Sequence, residues 1–328
     1  MSSAFAQGVT TDPVGYVTTT TPTGDDALIG LPLVQATAFA GAAVSVDGAE
    51  VTVAATLVVD AYNNTHYALA TSGANAGQWS AVVTTAANSI TTADVLLAAA
   101  DTFDVIPFWT LVTAFPGGEG IGASANPNAP TTTVSMNNLN AAGINLSSAA
   151  TYFYFVAGPE GAGWYQTGTF AFSNDVVLSP ETYITIRNNS GSSLSTVIAG
   201  NVSVNVVGTT VVSVAAAAQD NQLVNPYPAP ITLGNSGLAS VVGAAVNPNA
   251  PLDTVSVYDI ESSVGQNISS AATYFYFVAG PEGEGWYQTG SFAFSNTVEI
   301  PAGGAFVVRK GAGGDETLTW NPPVPYTL

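Results

Sequence analysis

One stretch of the chain occurs twice. SSAATYFYFVAGPEGAGWYQTGTFAFSN at 147–174 returns as SSAATYFYFVAGPEGEGWYQTGSFAFSN at 269–296, differing only at Ala162/Glu284 and Thr169/Ser291. The correspondence extends outward through NPNAP at 126–130 and 247–251, and through Ile144-Asn145-Leu146 against Gln266-Asn267-Ile268. It closes on a strand ending in Arg187 or Arg309. A unit of about a hundred residues or more is a duplicated domain and not a short solenoid repeat.

Runs of four to eight β-branched and aromatic residues, punctuated by Gly, Pro, Asn and Ser, recur throughout, and no long amphipathic helix is written anywhere. The alternation in 51–62, 195–215 and 306–310 fits half-buried antiparallel strands. The fold class expected is all-β: a multi-domain chain of antiparallel sandwiches or barrels with a duplicated C-terminal unit. The expected layout is a signal-peptide remnant at 1–7, an extended segment with leading strands at 8–50, a small β-unit at 51–108, and repeats at 109–218 and 219–328. DDALIGLPLVQA near the start loosely matches QDNQLVNPYPAP at 219–230, as if each repeat began in the same way.

The repeated segment predicts a β-hairpin: Tyr152-Phe153-Tyr154-Phe155, a GPEG turn, and a returning Trp164-Tyr165-Gln166-Thr167. Strand alternation puts the phenylalanines on one face, suited to a core. It puts Tyr152, Tyr154 and Trp164, with their copies Tyr274, Tyr276 and Trp286, on the other. Three readings of that second face stand open: packing between sheets, anchoring of a protein contact, and stacking on sugar rings. The turn acids Glu160, Glu282 and Glu284 suit solvated turn positions better than catalysis, since a glycosidase needs two carboxylates held across a cleft.

Charge narrows the function classes. Only three residues are basic, Arg187, Arg309 and Lys310, against 22 acidic ones, for a net charge of −19. Phosphate backbones and anionic membrane surfaces require clustered cations, so neither is an expected partner. Every apolar run stops short of the ~18 residues that span a bilayer. No cysteine is present and His66 is the only histidine, which excludes thiol chemistry and histidine-cluster zinc sites. The expectation is a protein that is not an enzyme and needs no cofactor. A weak calcium possibility attaches to Asp25-Asp26 and to Asp253 with Asp259 and Glu261, none of which has the spacing of a known calcium loop. Asn63, Asn145, Asn188, Asn201 and Asn267 head N-x-S/T sequons.

SSAFAQ at 2–7 carries the small-x-small pattern of a signal-peptidase site, which points to export. The following Thr/Val-rich stretch, with Val9, Val14, Tyr16 and Val17, reads as a candidate donor strand for the sheet edge of a neighbouring subunit. TDPVGY at 11–16, IPFWTL at 106–111 and the paired YFYF…GWYQTG hairpins resemble a family of exported, mostly-β proteins of unknown function common in Verrucomicrobia and related bacteria. The resemblance covers nearly the whole chain and implies export and β structure without supplying an activity. It departs from that family where Tyr165 and Tyr287 stand in place of an Arg that often follows the hairpin Trp. These features lead to the expectation of a self-assembling extracellular structural protein, a filament or surface-layer subunit whose partner is itself. The alternative is a cell-surface adhesin or polysaccharide-binding protein that uses the aromatic hairpins.

Overall fold

The computed structural model describes residues 13–139, 141–258, 265–314 and 316–327, and nearly all regular structure in it is β. The signal-peptide remnant at 1–7 lies outside the described residues, as do Val9, Asp259 and Glu261.

The chain begins with β1 (Val14–Thr21) and β2 (Asp26–Ile29). It then leaves for a closed six-stranded antiparallel barrel: β3 (Phe39–Asp47), β4 (Glu50–Val53), β5 (His66–Ala70), β6 (Trp79–Thr85), β7 (Ser89–Thr92) and β8 (Thr102–Pro107). Closure leaves the barrel no free edge, and Val51, Val53, Val82, Ile90, Phe103 and Val105 fill its interior. The chain returns as β9 (Trp109–Thr110) and a single-turn helix α1 (Leu111–Ala114). The first repeat continues through β10 (Ala123–Ser124), β11 (Thr132–Asn137), β12 (Ser148–Gly158), β13 (Gly161–Gln166), β14 (Val177–Leu178), β15 (Ile184–Asn188) and β16 (Leu194–Asn201).

The second repeat runs uninterrupted: β17 (Thr209–Val212), β18 (Gln219–Val224), β19 (Ile231–Thr232), β20 (Thr254–Val257), β21 (Ala272–Phe277), β22 (Gly285–Gln288), β23 (Glu299–Ile300), β24 (Ala305–Lys310) and β25 (Thr317–Trp320). Its pairings reproduce those of the first. β2 lies on β15 with Asp26 opposite Arg187, and β18 lies on β24 with Asp220 opposite Arg309. β1 pairs with β16 as β17 pairs with β25. Each repeat therefore has one main sheet (β2-β15-β11-β12-β13, or β18-β24-β20-β21-β22) and two separate two-stranded ribbons, β1-β16 and β9-β14 in the first and β17-β25 and β19-β23 in the second; β10 adds a sixth strand to the first main sheet by pairing parallel with β12.

This arrangement differs from the expected layout: the barrel starts at β3, ahead of residue 51, the second repeat starts at β17, ahead of residue 219, and the first repeat is split. The segment at 8–50 is not a separate leader: β1 and β2 belong to the first repeat, β3 belongs to the barrel, and the barrel is an insertion inside that repeat. The sequence offset between copies is 194 at Asp26/Asp220 but 122 at Arg187/Arg309, and the difference of 72 is the inserted barrel with its links. The two ends of the insert are held together where Trp109 Nε1 donates to Leu33 O at 2.7 Å and Gln35 Nε2 donates to Phe108 O at 2.5 Å.

Candidate functional site

The hairpin aromatics are not a platform, which corrects the surface reading of both hairpins. Tyr152, Tyr154 and Trp164 are buried in the core of the first repeat with Phe115, Val134 and Ile186, and Tyr274 and Trp286 are buried likewise in the second. Tyr276 is half-buried, and its Oη donates to Glu284 Oε1 at 2.6 Å, a bond the first copy lacks because Ala162 stands there. The opposite face is covered as well: Phe153, Phe155 and Tyr165 pack under Phe170, which the chain folds back over them after Gln166. Tyr165 Oη donates to Gly161 O at 2.8 Å and accepts from Glu160 N–H at 3.2 Å, which ties down the GPEG turn. Gly158 makes room for this, since a Cβ there would lie 2.2 Å from the Tyr165 hydroxyl. With both faces buried, the hairpin is core.

All three basic side chains are paired within the chain, Lys310 buried and the two arginines partly exposed. Arg187 makes a two-pronged contact with buried Asp26, both distances 2.8 Å, and Arg309 grips Asp220 at 2.6 and 2.9 Å. Lys310 pairs with Asp253 and donates to Val241 O at 2.6 Å. Asp25 accepts from Gly265 N–H at 2.6 Å, so Asp25, Asp26 and Asp253, considered above for calcium, are all engaged within the chain. Among the described residues no three His, Cys, Asp or Glu side chains cluster. His66 is half-buried beside Tyr62, with burial lowering its pKa, and shares a hydrogen bond with Thr65.

The arginines also join the repeats reciprocally. Arg187 Nη2 donates to Asn267 Oδ1 of the second repeat at 2.8 Å, while Asn267 N–H donates to Asp26 Oδ2 at 2.7 Å. In the mirrored contact Arg309 Nη2 donates to Asn145 Oδ1 at 3.2 Å and Asn145 N–H to Asp220 Oδ2 at 2.7 Å. Both asparagines hold left-handed backbone, φ +54° and +57°, a conformation Asn tolerates better than most residues. Each repeat thus extends a loop onto the other's Asp–Arg pair, the geometry of a symmetric dimer within one chain. Leu28, Tyr183, Tyr258 and Ala305 fill the apolar part of this junction.

Two cavities flank it. One, of about 460 Å³, lies over the outer face of the first repeat's sheet. The other, of about 320 Å³, holds Glu181 beside Asn138, Leu139 and the β18 residues Gln219 to Leu223. Burial raises the Glu181 carboxyl from its ordinary 4.5 to about 7.

The third feature is the ribbon. Val14, Tyr16 and Val17, read from sequence as a donor strand, pair with β16 of the same chain over the full eight residues. Thr21 and Ile198 are buried below, and the outer face carries exposed Val14 (77 %), Tyr16 (74 %) and Val197 (52 %). Asn201 exchanges both its backbone bonds with Val34, so Val14 opposite it is a non-bonded pair of the β1–β16 ladder. By alternation, Val14, Tyr16, Thr18 and Thr20 turn their N–H and C=O groups to the outer edge of β1. Among the described residues no strand pairs with that edge.

No family model, no curated protein and no solved structure matches this chain. Among the described residues no helix is long and apolar enough to cross a membrane.

Proposed function

We propose that the protein is a self-assembling extracellular structural protein, a filament or surface-layer subunit in which the outer edge of β1 pairs with a second copy. The observation that carries this reading is an edge to which no described strand pairs. Soluble β proteins protect edge strands with Lys, Pro, bulges or covering loops, because exposed N–H and C=O groups template further pairing. β1 reads VGYVTTTT: eight residues without charge, proline or register shift, next to an equally uncharged β16 and topped by Val14, Tyr16 and Val197. The acidic charge supports the same role. With all three basic side chains committed to Asp partners within the chain, no unpaired cation is left for a charge-steered partner, and association rests on backbone pairing and apolar contact. Export rests on the SSAFAQ pattern and on the family resemblance.

The test is Thr18→Pro with negative-stain electron microscopy. Proline removes one outward N–H of β1 and leaves the ladder to β16 intact, a position where edge strands tolerate it. The wild type is expected to form ordered polymers, and Thr18→Pro is expected to stay monomeric with an unchanged melting temperature. Polymers that survive the substitution would refute edge pairing and move the junction to exchange of β1 between subunits. A monodisperse wild type would refute self-assembly.

A further inference from the structure

The larger cavity is lined by a chemistry that the assembly reading leaves unused. Its floor is the solvent-side face of β11, β12 and β15, which presents the hydroxyls of Thr133, Ser135, Thr151 and Thr185 in adjacent rows. Ser135 and Thr151 bond to each other at 2.9 Å, whereas the half-buried Thr133 and Thr185 hydroxyls have no partner among the described residues. Asn137 and Gln222 stand at one end, the Asn137 amide nitrogen donating to Thr182 Oγ1 and Tyr183 O at 2.9 Å each and the Gln222 amide to Tyr183 Oη at 3.3 Å. The rings of Tyr183 and Tyr258 meet edge-on there, 6.0 Å apart. Arg187 closes the other end with its charge cancelled by Asp26.

We propose that this groove binds a neutral glycan, a short segment of an uncharged polysaccharide. The ligand must carry many groups that both donate and accept, because the floor is made of hydroxyls and amides with no uncompensated charge. A net charge of −19 with no free surface cation disfavours anionic sugars, and the partly exposed Tyr258 supplies apolar surface for the CH face of a sugar ring. The volume of about 460 Å³ lies within the usual range of ligand sites, which combine a largely preformed cavity with a few convergent polar groups.

The duplication adds an internal comparison. Superposing the pairings makes Thr133 equivalent to Thr254, Ser135 to Ser256 and Thr151 to Thr273. At the mouth the copies part: Asn137 corresponds to Tyr258, Tyr183 to Ala305 and Thr185 to Val307. Repeats almost identical along the hairpin therefore differ where the groove forms, and only the first sheet keeps the third row of hydroxyls. The site also needs both copies, since Gln222, Tyr258 and Asn267 come from the second.

The experiment is isothermal titration of the wild type with a panel of neutral tetrasaccharides: cellotetraose, laminaritetraose, xylotetraose, mannotetraose and maltotetraose. At least one is expected to bind. Thr133→Val and Thr185→Val, each retaining a β-branched side chain, should weaken that binding about tenfold apiece, the loss of one hydrogen bond, without changing the melting temperature. Thr185→Ser should restore it, and Thr254→Val, the equivalent change outside the groove, should leave it unchanged. Failure of the whole panel to bind, or binding equal in wild type and both valine variants, would overturn the proposal. Neither result bears on polymer formation, which is read separately by Thr18→Pro.

Discussion

Glu181→Gln tests the junction between the repeats. Glu181 sits in the loop before β15 and faces the smaller cavity, where the charged groups across from it are Asp220 and its partner Arg309. Burial raises its carboxyl from 4.5 to about 7, so the folded protein holds this proton more tightly than the unfolded chain does. The stabilisation is complete below the unfolded value of 4.5 and is lost as pH rises through about 7. The interval corresponds to about 3 kcal/mol, a ceiling because the side chain is half-buried and solvent relieves part of the penalty. Glutamine keeps the shape and cannot ionise. Thermal unfolding of both proteins should give equal melting temperatures near about pH 3.5 and a more stable variant near about pH 8. The gain there should be about 1–3 kcal/mol, or roughly 3–10 °C. A variant offset that is the same at both pH values would refute the reasoning, because it would place Glu181 outside the buried cleft.

Arg187→Met leaves Asp26 buried without its partner and should destabilise the first repeat by about 3–5 kcal/mol in chemical denaturation; adding Asp26→Asn should recover most of this. Tyr165→Phe removes the bonds to Gly161 O and Glu160 N–H and should cost about 1–2 kcal/mol, with Tyr287→Phe similar in the second repeat. Trp164→Ala should cost about 3–5 kcal/mol as a core cavity and leave binding of neutral tetrasaccharides unchanged once the loss of folded protein is corrected.

Much of this architecture is readable from residues, and the parts that are not have particular causes. The hairpins are local, so Tyr/Phe alternation and the GPEG turn suffice to place them. The orientation of Tyr152 and Trp164 is readable too. That both faces are covered is not, although Phe170-Ala171-Phe172 after Gly168 carried the signal: an apolar run straight after a turn must find cover, and the nearest open surface is Phe153 and Phe155. The match between DDALIGLPL and QDNQLVNPYP marks β2 and β18, but the barrel between β2 and β9 hides their equivalence by changing the offset between copies. Asn145 and Asn267 stand out in sequence only as repeated sequon positions. Their role on the other copy's Asp–Arg pair spans 75 to 241 residues and leaves no local pattern. The groove is lined by the first repeat's sheet together with Gln222, Tyr258 and Asn267 of the second, so no single segment encodes it.

The clamp at Leu33–Trp109 and Gln35–Phe108 makes the barrel a cassette with a fixed socket. A β-unit whose first and last residues are pinned side by side can be exchanged for another without disturbing the sheet that carries it. The corresponding turn of the second repeat, between β18 and β19, holds only a short connection. A lineage built on this scaffold can therefore diversify its outward appearance by swapping or adding passengers at two related sockets, while the paired repeats beneath stay the same.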